Sequence, residues 1–381
     1  MVTMRKLLTL VAALVVPASG LFAQATVTVP PLDFSGVLFG NFQWRTDDAA
    51  KLTTGGKALS KFDIGRAYLN FRMQAGEKGS IRVTTDIFNQ TPSTYYNGWT
   101  VRLKYGYFQY DFTKNLAGVQ GLGAIGRIGM LHTVVVEHIE GFWPRYLNQV
   151  GDEIYFNWSS ADVGAASLIT LPKRRGEVYV TVVNGSNYSS GETDRFKDYA
   201  ARVTLTPFAN DSSFLRTLTI SPWYSMGQTA SAFTLPPNAI SEGLQRDRRG
   251  LFVGLKERRI TGGAEFSQRV DDIETAPPTR TVTSRTGNLV SGFALVRPME
   301  FANARKRSPW GLLGRYDSFK LNKSQPASAA NPDNKFVILG AFYDLNARTT
   351  FALDYQELKA NVGTTSVFPT KTLFVHWQAS F

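Results

Sequence analysis

The stretch LFVHWQASF, Leu373–Phe381, alternates. Leu373, Val375, Trp377, Ala379 and Phe381 form an apolar row, while Thr372, His376, Gln378 and Ser380 lie on the other, with Phe374 the apolar exception there. A period of two marks a strand with one apolar and one polar face. Working outward, the same alternation recurs along the chain, broken by Gly, Asn, Asp, Ser and Pro clusters. Strands are predicted at 33–45, 61–75, 80–88, 98–112, 121–130, 163–171, 177–184, 196–206, 214–227, 248–258, 260–270, 285–297, 309–321, 335–345, 348–358 and 370–381. Helical periodicity is scarce, and no stretch is apolar enough for a transmembrane helix.

Connections alternate between short turns (76–79, 172–176, 257–259, 346–347) and longer loops (46–60, 89–97, 131–162, 185–195, 228–247, 271–284, 322–334, 359–369). That rhythm belongs to an up-and-down transmembrane β-barrel, with turns on the periplasmic rim and loops outside. The expected fold is therefore all-β, a closed antiparallel barrel of about 16 strands. Only closure satisfies every backbone group in lipid. A barrel of this size is too wide for side chains to fill, so a water channel is expected inside.

Composition narrows the class. The chain has 381 residues, no cysteine, 13% aromatics and a formal charge of +12. Disulfide frameworks and thiolate chemistry are excluded. At the N-terminus, Arg5 and Lys6 precede the apolar run Leu7–Val16, and Ala23-Gln24-Ala25 forms an A-x-A site. These features predict a cleaved signal peptide over 1–25 and a single barrel domain over 26–381. Export disfavours a nucleic-acid partner, and the positive charge is spread along the strands rather than gathered in one patch.

The polar rows carry the functional expectations. Parity within the predicted strands places Arg45, Arg66, Arg72, Arg82, Arg102, Lys104, Arg127, Arg202, Lys256, Arg258 and Arg348 inside, against the fewer acids Asp86, Asp198, Glu265 and Asp354. In 98–112 the outward row is expected to be Trp99, Val101, Leu103, Tyr105 and Tyr107. An excess of fixed positive charge on a pore wall draws in anions. The bland alternative is a wall network in which acids neutralise these cations, giving a solute channel without anion preference. Trp99, Trp310, Tyr343 and Trp377 suit the aromatic girdles at the membrane interfaces. Leu373, Val375, Trp377 and Phe381 are expected on the lipid face of the closing strand, with terminal Phe381 also serving as an assembly signal.

Other clusters point less specifically. His132, His138, Glu137 and Glu140 match no standard zinc spacing, so no metal or cofactor is expected. Phe142, Trp143, Tyr146, Tyr155, Phe156 and Trp158 are expected to pack loop 131–162 against the wall, a sugar-stacking platform being the sharper alternative. Lys173-Arg174-Arg175 and Arg305-Lys306-Arg307 are expected in short periplasmic turns. An outer-membrane barrel enzyme would need a nucleophile paired with a base, and no particular Ser is matched to one of the three histidines. A secreted carbohydrate-binding β protein is the remaining rival.

The segments FDIGRAYLNFRMQAGEKGSIRVTTDIF (62–88), VRLKYGYFQYDF (101–112), GRIGM (126–130) and VVNGSNYSSGETDRFKDYAARVTLTPF (182–208) resemble the phosphate-selective porin family. The resemblance implies a 16-stranded outer-membrane barrel, usually a homotrimer, whose third loop folds inward as a constriction. Loop 131–162 is the third and longest, and fits that role. Outer-membrane lipids, the barrel-assembly machinery and small anionic or neutral solutes are the implied partners. The family's phosphate selectivity rests on lysines at the constriction. Loop 131–162 has none, and its one fixed cation is Arg145. The architecture is carried over, and the phosphate specificity is not.

Overall fold

The computed structural model describes residues 31–90, 98–113, 121–233, 243–276, 279–303, 305–363 and 369–381. The expected signal peptide, 1–25, lies outside them. The described chain forms seventeen strands: β1 (Leu32–Arg45), β2 (Leu59–Gln74), β3 (Gly79–Gln90), β4 (Gly98–Asp111), β5 (Gly123–His132), β6 (Ala161–Thr170), β7 (Gly176–Val183), β8 (Asp198–Leu205), β9 (Thr219–Met226), β10 (Gln228–Thr229), β11 (Leu244–Lys256), β12 (Ile260–Glu274), β13 (Val282–Val296), β14 (Trp310–Lys320), β15 (Asp333–Asn346), β16 (Thr349–Asn361) and β17 (Thr370–Ser380).

Each wall strand pairs antiparallel with its sequence neighbour, and β17 returns to β1. The two-residue β10 extends β9 beyond Gly227 along β11. The result is a closed barrel of sixteen wall strands plus that extension. The sixteen predicted strands all form. The ninth starts later than expected, because Phe214–Thr217 coils into a short 3₁₀ turn after the Ser213 cap. Connections 75–78, 171–175, 257–259 and 347–348 lie on one rim, and loop 133–160 leaves the other. The connection carrying Arg305, Lys306 and Arg307 runs over 297–309 and holds the helix Pro298–Ala302, so it is not the short turn expected.

Closure is made by the stretch Leu373–Phe381. The register runs from Val37 opposite Ser380 to Arg45 opposite Thr372. Gly36 and Phe381 exchange both backbone hydrogen bonds at 3.0 Å. Trp377 lies opposite Gly40. A Cβ at Gly36 would collide with the Phe381 ring, and one at Gly40 with the Trp377 indole. The bare backbone of β1 is thus covered by aromatic rings from β17, which offsets the weak packing of glycine in a strand.

The exterior is apolar along the strands. Val101, Ile128, Leu339 and Leu353 are each more than half exposed. In a lone chain in water such a surface would be an aggregation liability, and in a bilayer it is the required face. Two bulges reset the parity. Between β1 and β2 the register shifts at Gly40, so Phe62 and Ile64 face outward below the shift and Leu69 above it. Between β3 and β4 it shifts at Thr84/Thr85, leaving Lys104 as the extra residue. Tyr105 and Tyr107 therefore turn inward and are buried, contrary to the outward row expected, while Trp99, Val101 and Leu103 stay outside.

Candidate functional site: the loop-lined lumen

Loop 133–160 fills part of the barrel interior. Its short helices, Val136–Glu140 and Gly151–Phe156, present Val136, Ile139, Tyr155 and Phe156 as buried residues. With Val134, Val135, Trp143, Leu147 and Val150, Val136 and Ile139 pack on an apolar inner wall that includes Trp223, Phe252, Phe293, Leu313, Phe336 and Ile338, while Tyr155 and Phe156 pack on Leu289 and Phe319. Ring centroids of Trp143 and Phe293 lie 5.3 Å apart, those of Phe142 and Phe252 5.1 Å, and those of Tyr155 and Phe319 4.9 Å. The loop aromatics are consumed by this packing. The interior is therefore not uniformly polar, because the folded loop needs an apolar seat.

Wall side chains also donate to the loop's backbone carbonyls. Lys256 Nζ reaches Gly141 O at 2.7 Å, Gln356 Nε2 reaches Leu147 O at 3.1 Å, and Arg269 reaches Tyr155 O at 2.8 Å. Arg202 donates to Val134 O and Arg315 to Gln149 O. Each buried carbonyl left without a donor would cost roughly 1–3 kcal/mol. Several cations thus anchor the loop instead of standing free in the lumen.

Asp152 and Glu265 meet where the second helix touches β12. Both are buried beside the Ser267 hydroxyl, and among the described residues no backbone N–H or basic side chain donates to their four oxygens. A Cβ on Gly151 already lies against Leu289 and Glu265, so the approach is tight. Two carboxyls in such contact share a proton, since like charges cannot both persist there. Burial pushes Asp152 up to about 6. Arg248, Arg315 and Asp317 are the other charged neighbours.

The expected cations fall into groups. Arg66 and Arg102 converge on the single buried carboxylate of Asp86, with Arg102 4.0 Å from the Phe88 ring centroid and 2.8 Å from Tyr188 Oη. Arg82 donates to His132 Nε2 at 3.0 Å and lies 4.0 Å from Glu137. Lys104 sits 3.3 Å from Tyr68 Oη, and Arg127 donates to Gln109 at 2.9 Å. Arg202 pairs with Glu177, Arg45 with Asp47 at 3.1 Å, and Arg258, in the β11–β12 turn, with Glu300 at 3.0 Å. Arg72 is exposed near the turn rim, in register with Arg82. Arg348 was expected inside. It occupies the exposed turn between β15 and β16, off the strand faces, and its carbonyl accepts from Ser380. Arg145, in the loop, is clamped by Glu140 and Glu153, at 2.6 Å from the latter. Burial opposes its charge, but the two carboxylates push its proton affinity well above the ordinary value.

Cations missed by parity reading are Arg246, Arg248, Arg269, Arg297 and Arg315, each paired with an acid. The predicted strand starts at 248, which leaves Arg246 outside it. The loop histidines do not converge. His132 contacts Glu137, whereas His138 Nε2 is 2.9 Å from Ser221 Oγ. That hydrogen bond pairs a histidine with a serine, which the sequence did not reveal. Ser221 is fully buried, and burial together with Arg202 lowers His138 to about 3, so the pair is a packing contact rather than an accessible nucleophile and base.

Two cavities flank Glu137. One, of about 570 Å³, is lined by Arg82, Lys104, Glu140, Arg145, Lys256 and Arg297 among others. The other, of about 420 Å³, includes Arg127, His132, Glu177 and Arg202. Burial would raise Glu137, but His132, Arg82 and Lys104 outweigh it and hold the carboxyl below its ordinary range.

Comparison with known proteins finds the same fold. No family model matches the sequence, and no curated protein matches it. Among solved structures, Salmonella typhi OmpF in complex with daunomycin superposes with a TM-score of 0.61 at 13% identity, over 92% of this chain and 98% of that one. The outer membrane channel DcaP of Acinetobacter baumannii gives 0.60 at 11% identity, over 93% and 98%. An anion-selective porin from Comamonas acidovorans gives 0.57 at 12% identity, over 92% and 99%. The architecture is that of outer-membrane porins.

Proposed function

We propose that this chain is an outer-membrane porin, a channel for passive diffusion of small hydrophilic solutes with a preference for anions. The observation that carries the reading is the inversion of polarity: a closed sixteen-stranded wall is apolar outside and densely charged inside. Such a wall satisfies its backbone in lipid while keeping water in the lumen. In this reading the short turns face the periplasm, residues 1–25 are a cleaved signal peptide, and insertion requires the barrel-assembly machinery. A homotrimer is the proposed assembly.

Anion preference is supported by cations that outnumber their acids. Arg66 and Arg102 share Asp86. Among the described residues, Lys104, Arg127 and Lys256 have no carboxylate within 4.0 Å. A second reading, a channel for neutral solutes, is favoured by the neutralised constriction, where Arg145 is bound by two glutamates. Phosphate selectivity is not proposed, because loop 133–160 offers no lysine. Reconstitution of detergent-purified protein into planar bilayers tests the reading. Stepwise conductance increments are expected, and folded protein that gives none would refute a channel.

A further inference from the structure

Glu137 differs from the other acids of the lumen. Its side chain is 45% exposed, yet it stands among buried nitrogen bases: the His132 and Arg82 side chains are 4% and 16% exposed, and Lys104 is buried. Its two oxygens are divided between two partners. Oε1 faces Arg82 Nη1 at 4.0 Å, and Oε2 contacts His132 Nδ1. Arg82 can only donate, so His132 Nε2, 3.0 Å away, must accept. The ring proton is then on Nδ1, the nitrogen beside Glu137 Oε2, where no hydrogen bond of ordinary geometry is formed. Tyr105 holds the group together from below. Its ring centroid is 3.9 Å from that of His132, 4.7 Å from the Arg82 guanidinium and 5.4 Å from Lys104 Nζ.

Position makes this more than an internal ion pair. Glu137 is the second residue of a short helix in which Val136 and Ile139 are fully buried, so the backbone is fixed while the side chain can turn. The residue lines both cavities and stands between them. If Glu137 swings aside, the Arg82 guanidinium, the Lys104 amine and an N–H donor remain, with no other carboxylate within 4.0 Å of Arg82 or Lys104 among the described residues.

We propose that Arg82, His132 and Lys104 form a carboxylate-binding site in the lumen, and that the Glu137 carboxylate is its tethered occupant, displaced by a solute carboxylate. The inference rests on the reading of the chain as a diffusion channel and names the class of solute it favours. A carboxylate fits because the occupant in place is one, with each oxygen given to a different nitrogen. A tethered competitor keeps the site weak, which lets a bound solute leave again.

The test compares wild type with Glu137→Gln in planar bilayers, measuring conductance against concentration in sodium acetate, sodium chloride and sodium phosphate. Removing the competing charge lowers the half-saturating acetate concentration about tenfold. Adding Arg82→Gln to Glu137→Gln abolishes the gain. A half-saturating acetate concentration unchanged within about twofold, in channels that still conduct, overturns the proposal, as does a larger gain for phosphate than for acetate. Line broadening of ¹³C-acetate by detergent-solubilised protein distinguishes the binding site from the channel. Broadening that increases in Glu137→Gln without conductance keeps the site and removes the channel. Conductance without broadening in either protein removes the site.

Discussion

The contact between Asp152 and Glu265 should make the docking of the inward loop depend on pH, and Asp152→Asn isolates that dependence. Asp152 titrates at 3.8 in an undocked, solvated loop and at about 6 when docked. The docked loop therefore binds more protons in between. Its contribution is fully present below 3.8 and is lost as pH rises through about 6. Glu137 and Glu153 act in the opposite sense. Their docked values lie below 4.5, so their contributions are lost as pH falls below that point. Between pH 4.5 and 7 the Glu137 and Glu153 contributions are constant, and the dependence read is that of the Asp152–Glu265 contact as a whole. A rise from 4.5 to about 6 spans about 1.5 pH units, or about 2 kcal/mol, equivalent to about a thirtyfold increase in the undocked population. The loop stays mostly docked throughout, since each fully buried side chain such as Trp143 or Phe156 contributes roughly 1.5–3 kcal/mol. The assay is open-channel current noise, with amide hydrogen exchange in 133–160 as a structural check. Wild type should become noisier from pH 4.5 to 7, and the asparagine variant should lose most of that change. Equal pH dependence in both proteins would refute the shared-proton contact.

Trp143→Ala should empty the centre of the loop's apolar seat, weakening docking by about 3–5 kcal/mol. Larger mean conductance and protease cleavage within 133–160 are expected, with the barrel still folded in unheated gels. Phe381→Ala should uncover Gly36 and lower the temperature at which the folded gel band is lost by a few degrees, on the order of 1 kcal/mol; an unchanged transition would show that the ring over Gly36 contributes nothing.

The strands were legible because lipid imposes a simple rule on every one of them. An apolar row such as Leu373, Val375 and Trp377 must face out whatever lies inside. The bulge at Lys104 was not legible, since an extra residue leaves no signature of its own in an alternating run, and it inverted Tyr105 and Tyr107. The apolar inner wall at Phe252, Phe293 and Ile338 was hidden for a different reason. Those residues are explained only by the loop that packs on them. Parity could place Arg66 and Arg102 inside, but their common partner Asp86 depends on cross-strand register, and the Arg82–His132–Glu137 contact depends on how the loop folds back. Pairing between wall and loop is decided in three dimensions, which is why charge counting alone overstated the number of free cations.

We propose a water-filled barrel whose fixed charge favours anions. Its most direct test is the zero-current potential of the reconstituted wild-type channel across a KCl gradient at neutral pH. Chloride should cross faster than potassium, so the dilute side should become negative. A positive dilute side would mean that the acids of the loop, and not the cations of the wall, set the field in the lumen.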